Sequence, residues 1–330
     1  MPGTSPFRAW LAQRPPAAGA AVMATGIVSV ALHLTGYELL SRVILAVGCF
    51  AWLTLAADFV LRLLGDRPRW IREAGTPGAL TAVAATTVLG TRFTALGWRT
   101  LAEALLALAF VLWPGLLVLV VRNYRRPMPG AVFLSCVATE GLAVLAATLA
   151  KAQTVAWPAY AALVFFWIGL VLYVFALYCF DLRQLLEGHG DHWIAGGALA
   201  ISALAGARLI AVGGGGMHLW DADDSGVLRA VTLALLVLGL CWYAVLVVAE
   251  LVRPRLRYDV RRWSTVFPMG MTAAASVSVA AAADVPSRGL GEVAAVGRGG
   301  GVAGRRRGRG PGRVRGAQGA ALSVTSTARR

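Results

Sequence analysis

The sequence predicts an all-α integral membrane protein of helical hairpins, with five inner helices in a quasi-five-fold arrangement around a central pore. Three observations carry this reading. Apolar runs of about 20 residues, long enough to cross a bilayer as helices, recur along a chain that is 58% hydrophobic and only 14% charged. A soluble domain carries about 25% charge. Arginine concentrates in every second loop, and the spans alternate between two compositions.

Nine spans are visible, at roughly 17–36, 40–64, 76–96, 100–121, 131–150, 156–180, 192–212, 227–251 and 263–283. The loops between them are short, which joins neighbours as antiparallel hairpins. Period-2 alternation is absent and the runs are too long for barrel strands. The polar, turn-rich segment 1–16 reads as a cytoplasmic N-terminal segment rather than a cleavable leader.

Orientation follows from arginine placement. Arg8 and Arg14 precede the first span, and Arg62, Arg67, Arg69 and Arg72 follow the second. Arg122, Arg125 and Arg126 follow the fourth, Arg183 the sixth, and Arg253, Arg255, Arg257, Arg261 and Arg262 the eighth. The intervening loops are nearly free of Arg and Lys; "GGGGMHLWDADDSG" (213–226) has three Asp and neither base. The positive-inside rule then puts the N-terminus in the cytoplasm of a multi-pass cell-membrane protein.

Gly, Ala, Ser and Thr make up 52 of 80 residues in the centres of the odd spans and 22 of 89 in the even ones. Small residues let membrane helices approach closely or leave room at an axis, whereas Leu, Val, Phe and Trp suit a lipid-facing ring. The odd spans are therefore inner and the even spans outer. His33, Arg92, Lys151 and Arg208 fall near the outer ends of odd spans at separations of 59, 59 and 57 residues, which marks a repeat. These four form a candidate positive vestibule that would concentrate anions.

The fifth inner span opens with "RWSTVFPMGMTAAAS" (262–276). Phe267 and Pro268 put one large ring where neighbouring helices offer methyl groups, and the proline can kink the helix and aim that ring. A hydrophobic plug and an aromatic anchor near the interface, as Trp263 would be, both fit these residues.

"VMATGIVSVAL" (22–32) and "WSTVFPMGM" (263–271) resemble signatures of the tellurite-resistance/dicarboxylate transporter family, which includes slow anion channels, malate permease and sulfite exporters. "FDLRQLLEGHGDHWIAGGALAISALAGAR" (180–208) is similar to its actinobacterial members. The resemblance covers about 17–283. It implies ten helices in five hairpins, of which nine are visible here, an anion pore lined by the odd helices, and a homotrimer. It also implies a phenylalanine gate in the ninth helix, at the position of Phe267 before Pro268.

A wall of small and hydroxyl residues such as Thr25, Gly26, Ser29, Thr87, Ser202 and Thr272 would hold anions loosely enough for release. Glu140 is the exception at mid-span, read either as part of the pathway, with protons coupled to a dicarboxylate, or as an acid hydrogen-bonded between helices. An ionised carboxylate there costs about 2.5–3.5 kcal/mol on insertion scales.

Other chemistry finds little support. Cys49, Cys136, Cys179 and Cys241 lie in apolar runs without paired spacing. "GHGDHW" (188–193) has no further ligand group in view, Gly213–Gly216 is followed by no Gly-Lys-Ser/Thr, and no catalytic constellation is legible, so no metal, cofactor or enzyme activity is expected. The net charge of +15 includes +9 from residues 285–330, with ten Arg and one Glu, which disfavours a nucleic-acid partner for the remainder. That segment stands where a tenth helix would. Loss of reading frame near 285 accounts for its Arg/Gly composition better than an RNA-binding tail does. The sequence thus divides into residues 1–16, a membrane domain 17–284 and a tail 285–330. It reads as a mover of small anions: C4-dicarboxylates such as malate, or chloride, nitrate, sulfite and tellurite-related anions. A non-conducting membrane binding or sensor protein on the same scaffold is the alternative.

Overall fold

The computed structural model describes residues 19–187, 190–213, 219–252 and 263–283. Arg8 and Arg14, the five arginines of 253–262, much of the 213–226 loop and the tail 285–330 therefore lie outside the described residues.

The described residues form nine long helices: α1 Gly19–Leu34, α2 Glu38–Gly65, α3 Thr81–Ala95, α4 Arg99–Arg122, α5 Leu134–Gln153, α6 Trp157–Cys179, α7 Trp193–Val212, α8 Ala222–Val252 and α9 Trp263–Ala282. The described connections also hold a short amphipathic helix, Arg67–Ala74, a one-turn helix, Gln184–Glu187, and 3₁₀ turns at Pro77–Leu80 and Gly130–Phe133. Among the described residues seven helices are long and apolar enough to cross a membrane, and α1, at 16 residues, is a shorter apolar helix. The protein is an all-helical, multi-pass membrane protein.

The odd helices pack in sequence, α1 on α3, α3 on α5, α5 on α7 and α7 on α9, and α9 returns to α1 to close a ring. Each even helix packs mainly on the odd helix of its own hairpin and also leans on the next odd helix, α2 on α3, α4 on α5, α6 on α7 and α8 on α9. The composition split explains this arrangement. Glycines stand where inner helices touch: a β-carbon on Gly26 of α1 would come within 2.7 Å of Val88, and one on Gly270 of α9 within 3.0 Å of Ile27. On Gly141 of α5 it would collide with Thr87 Oγ1. Hydroxyls are absorbed by their own helices, as Thr87, Thr91 and Ser202 donate back to Ala84, Thr87 and Ala198 carbonyls.

Outer and inner rings are also pinned by indole donors. Trp52 of α2 donates to Thr86 of α3 at 2.9 Å, and Trp113 of α4 donates to Thr139 of α5 at 2.8 Å. At the Arg67–Ala74 end, Arg62 bridges Asp58 and Glu73 while Arg69 holds Glu73 from the next turn. Burial works to raise the Glu73 carboxyl, but the two arginines outweigh it and hold it below its ordinary range. That clasp is complete above the ordinary carboxylate value and is lost as pH falls through the depressed one.

Coverage of the inner ring is uneven. The most apolar window is 94% buried in the helix carrying α5 and 83% buried in α7, but 33% buried in α9. Val266, Met269 and Ala273 form an exposed stripe along α9, at i, i+3, i+7 spacing. No described helix covers it.

Glycine substitution separates the two rings. Gly141→Leu should abolish folding, because the helices cannot separate without losing the ring. Gly115→Ala on α4, which meets open space, should be neutral or stabilise by up to about 1 kcal/mol. Thermal unfolding in detergent measures both.

Candidate functional site

At the centre of the ring lies a small cavity of about 10 Å³, room for about one water. Every inner helix contributes to it: Ile27 and Val30 from α1, Thr87, Val88 and Thr91 from α3, and Gly141 and Val144 from α5. Ile201 and Leu204 come from α7, and Met271 from α9. Its wall is mainly apolar.

Helical register identifies the layer beside it. Residues four apart share a helix face, so one turn toward the inner helices' N-terminal ends stand Met23, Ala84, Val137, Gly197 and Phe267. All five are buried, and Phe267 is 1% exposed. Phe267 lies on the same face as Met271, about 6 Å along α9. Its Cε1 is 3.3 Å from where a β-carbon on Gly197 would sit, and Pro268 Cγ is 3.0 Å from the same point. The ring therefore occupies space that glycine leaves on the facing helix. With alanine, valine and glycine on the other three helices, Phe267 and Met23 supply the bulk that closes this layer.

Of the expected wall residues, only Thr87 reaches the cavity. Thr25 faces Gly48 of α2, where an added β-carbon would meet its hydroxyl at 3.0 Å, and Gly26 faces Val88. Ser29 is clasped to Ser41 of α2 through two serine-to-carbonyl bonds of 2.8 and 2.7 Å. Ser202 lies 3.8 Å from Cys136 of α5, and half-buried Thr272 donates to the Pro268 carbonyl. These hydroxyls serve helix seams because adjacent helical positions point about 100° apart. Composition places them on an inner helix without saying which face they occupy.

Glu140 is likewise off the cavity, although its neighbour Gly141 lines it. The carboxylate is fully buried, with Oε1 2.5 Å from the point a β-carbon on Gly169 of α6 would occupy. Neither oxygen has a hydrogen-bond partner. It packs against Gly169 of α6, with Ser202 of α7 also beside it.

At the other end of the ring the four repeat cations separate into two kinds. Arg92 is fully buried, donating from Nη2 to Glu38 at 2.7 Å and from Nε to Ser41 at 3.0 Å. Glu38 also meets His33 at 2.6 Å and Arg42 at 3.0 Å. His33 and Arg92 are thus drawn onto one carboxylate at the meeting of α1, α2 and α3. Lys151 is exposed, and Arg208 is half-buried with an unpartnered Nε. Of the expected vestibule, then, Arg92 is a neutralised tie between helices. Sequence periodicity found the cations but not Glu38, which lies on an even helix outside the repeat being counted.

Among the described residues no cluster of three or more His, Cys, Asp or Glu could hold a metal ion. A family model described as SLAC1, voltage-dependent anion channel, matches residues 13–298. No match was found among curated proteins.

The Arg92 tie gives a stability prediction. Glu38→Gln leaves a buried guanidinium without its carboxylate, and breaking a buried pair costs about 3–5 kcal/mol. With Glu38 36% exposed, solvent screening reduces this to roughly 1–3 kcal/mol. Thermal melting of the variant should fall accordingly, and an unchanged melt would show that the pair contributes nothing.

Proposed function

Since the chain belongs to the voltage-dependent anion channel family, a family of channels and transporters, we propose that it moves small anions along the axis of its inner ring, with Phe267 as the gate. The observation that carries this reading is the buried Phe267 layer beside a cavity to which all five inner helices contribute. An apolar constriction of this kind blocks ions by excluding water, without needing charge.

The substrate class is small anions, either C4-dicarboxylates such as malate or inorganic anions such as chloride, nitrate and sulfite. The mainly apolar axial wall supports weak binding and ready release. Thr87 and Thr91 are the polar side chains at the cavity. Glu140, packed against α6, supports a structural role in preference to a place on the anion path. Lys151 and Arg208 carry the vestibule role, and Arg92 and His33 act through Glu38 in holding the mouth together. The family resemblance supports a homotrimer in the cell membrane with the N-terminus in the cytoplasm. Arginine placement in the loops supports the same orientation.

Two experiments test this reading. In liposomes, Phe267→Ala should raise anion flux roughly tenfold or more, the change that about 1.4 kcal/mol off a barrier produces, with assembly retained. A well-folded variant with unchanged flux would remove the gate. For orientation, a membrane-impermeant thiol reagent applied outside cells should label cysteine at exposed Asp221 and spare cysteine at exposed Arg67. The reverse pattern would invert the topology.

A further inference from the structure

A second cavity, of about 380 Å³, lies away from the axis, between α2, α4, the back of α3 and the short helix Arg67–Ala74. Its walls are apolar over most of their area, with Leu55, Phe59 and Ala56 on α2, Leu108 and Leu112 on α4, and Ala85 on α3. Val60, Leu63 and Leu108 line it and are also 48%, 36% and 39% exposed on the outer surface. The cavity therefore opens onto the apolar face that α2 and α4 turn to the bilayer.

One end is polar. Asp58, Arg62 and Glu73 line it as an ion-paired group, beside Trp70. Trp70 packs edge-on against Phe59, with ring centroids 5.3 Å apart. Its Nε1 is buried and has no hydrogen-bond partner. A buried indole donor usually finds an acceptor, and none is supplied by the described residues.

We propose that this cavity is a lipid site. It takes an acyl chain of a membrane phospholipid between α2 and α4, and an ester or phosphate oxygen of the same molecule accepts from Trp70 Nε1. The volume lies within the roughly 300–1,000 Å³ of small-ligand sites. The apolar walls disfavour a hydrated ion, and the lateral mouth admits a molecule from the bilayer. The polar end sits at the loop that follows α2, where headgroups meet tryptophan. A bound chain packs on Ala85 and Thr86 of α3, while neighbouring Thr87 and Val88 line the axial cavity. The site thus lies directly behind the proposed anion path.

The test uses the full chain in nanodiscs containing phosphatidylcholine with a photoreactive diazirine in its acyl chain, with adducts mapped by mass spectrometry. Adducts should concentrate on residues 55–63 and 108–112. Ala56→Phe, which fills the cavity, should reduce them about tenfold while adducts on exposed faces of α6 and α8 persist. Trp70→Phe keeps the ring and removes the donor, and should reduce them about 2- to 10-fold, the worth of one hydrogen bond. Adducts spread evenly around the outer helices, or unchanged in Trp70→Phe, would overturn the proposal. If Ala56→Phe does not fold, the Trp70→Phe result decides alone.

Discussion

A β-carbon on Gly141 would collide with the Thr87 hydroxyl, one on Gly90 would come within 2.6 Å of Leu145, and one on Gly26 within 2.7 Å of Val88. The contacts among α1, α3 and α5 therefore depend on the absence of a side chain, and Gly197 and Gly270 do the same service at α9. Close approach is the constraint from which the rest of the structure follows. Lipid supplies no hydrophobic force to drive helices together, so dispersion between closely fitted backbones must do so. Only small residues allow that fit. They leave too little bulk to fill the centre, and there the chain places Phe267 and Met23.

The outer ring follows from the same constraint. Helices this thin in side chains would expose their backbones to lipid, and α2, α4, α6 and α8 shield them with Leu, Val, Phe and Trp. Polar groups at the seams are then paired locally: Trp52 with Thr86, Trp113 with Thr139, Arg92 with Glu38 and Ser41. The exposed stripe Val266, Met269 and Ala273 on α9 has no such cover among the described helices.

The helical class, the hairpin order and the division into inner and outer helices were legible because composition averages over whole helices. Individual sites were less so. The small-residue count identified α1 and α7 as inner helices, but Ser29 and Ser202 turned out to face neighbours rather than the cavity. Inner helices made almost entirely of small and apolar residues have little amphipathic contrast, so periodicity does not say which face meets the axis. Phe267 stood out because its bulk breaks the pattern. Met23 and Met271 are missed for the opposite reason, since methionine among alanines and valines gives no signal. Glu38 could have been found by seeking a carboxylate at the start of the helix following His33.

The account rests on the inner ring enclosing a path that is closed at the Phe267 layer. Its most direct test is access to Val144, which lines the cavity beyond that layer as seen from the Arg67–Ala74 side. Cys49, Cys136, Cys179 and Cys241 would be replaced, Val144→Cys introduced, and a small membrane-impermeant thiol reagent applied from that side of reconstituted vesicles. The account predicts slow modification with Phe267 present and at least about tenfold faster modification when Phe267 is also changed to Ala, as removal of a hydrophobic constriction requires. Equal rates in the two proteins would contradict it.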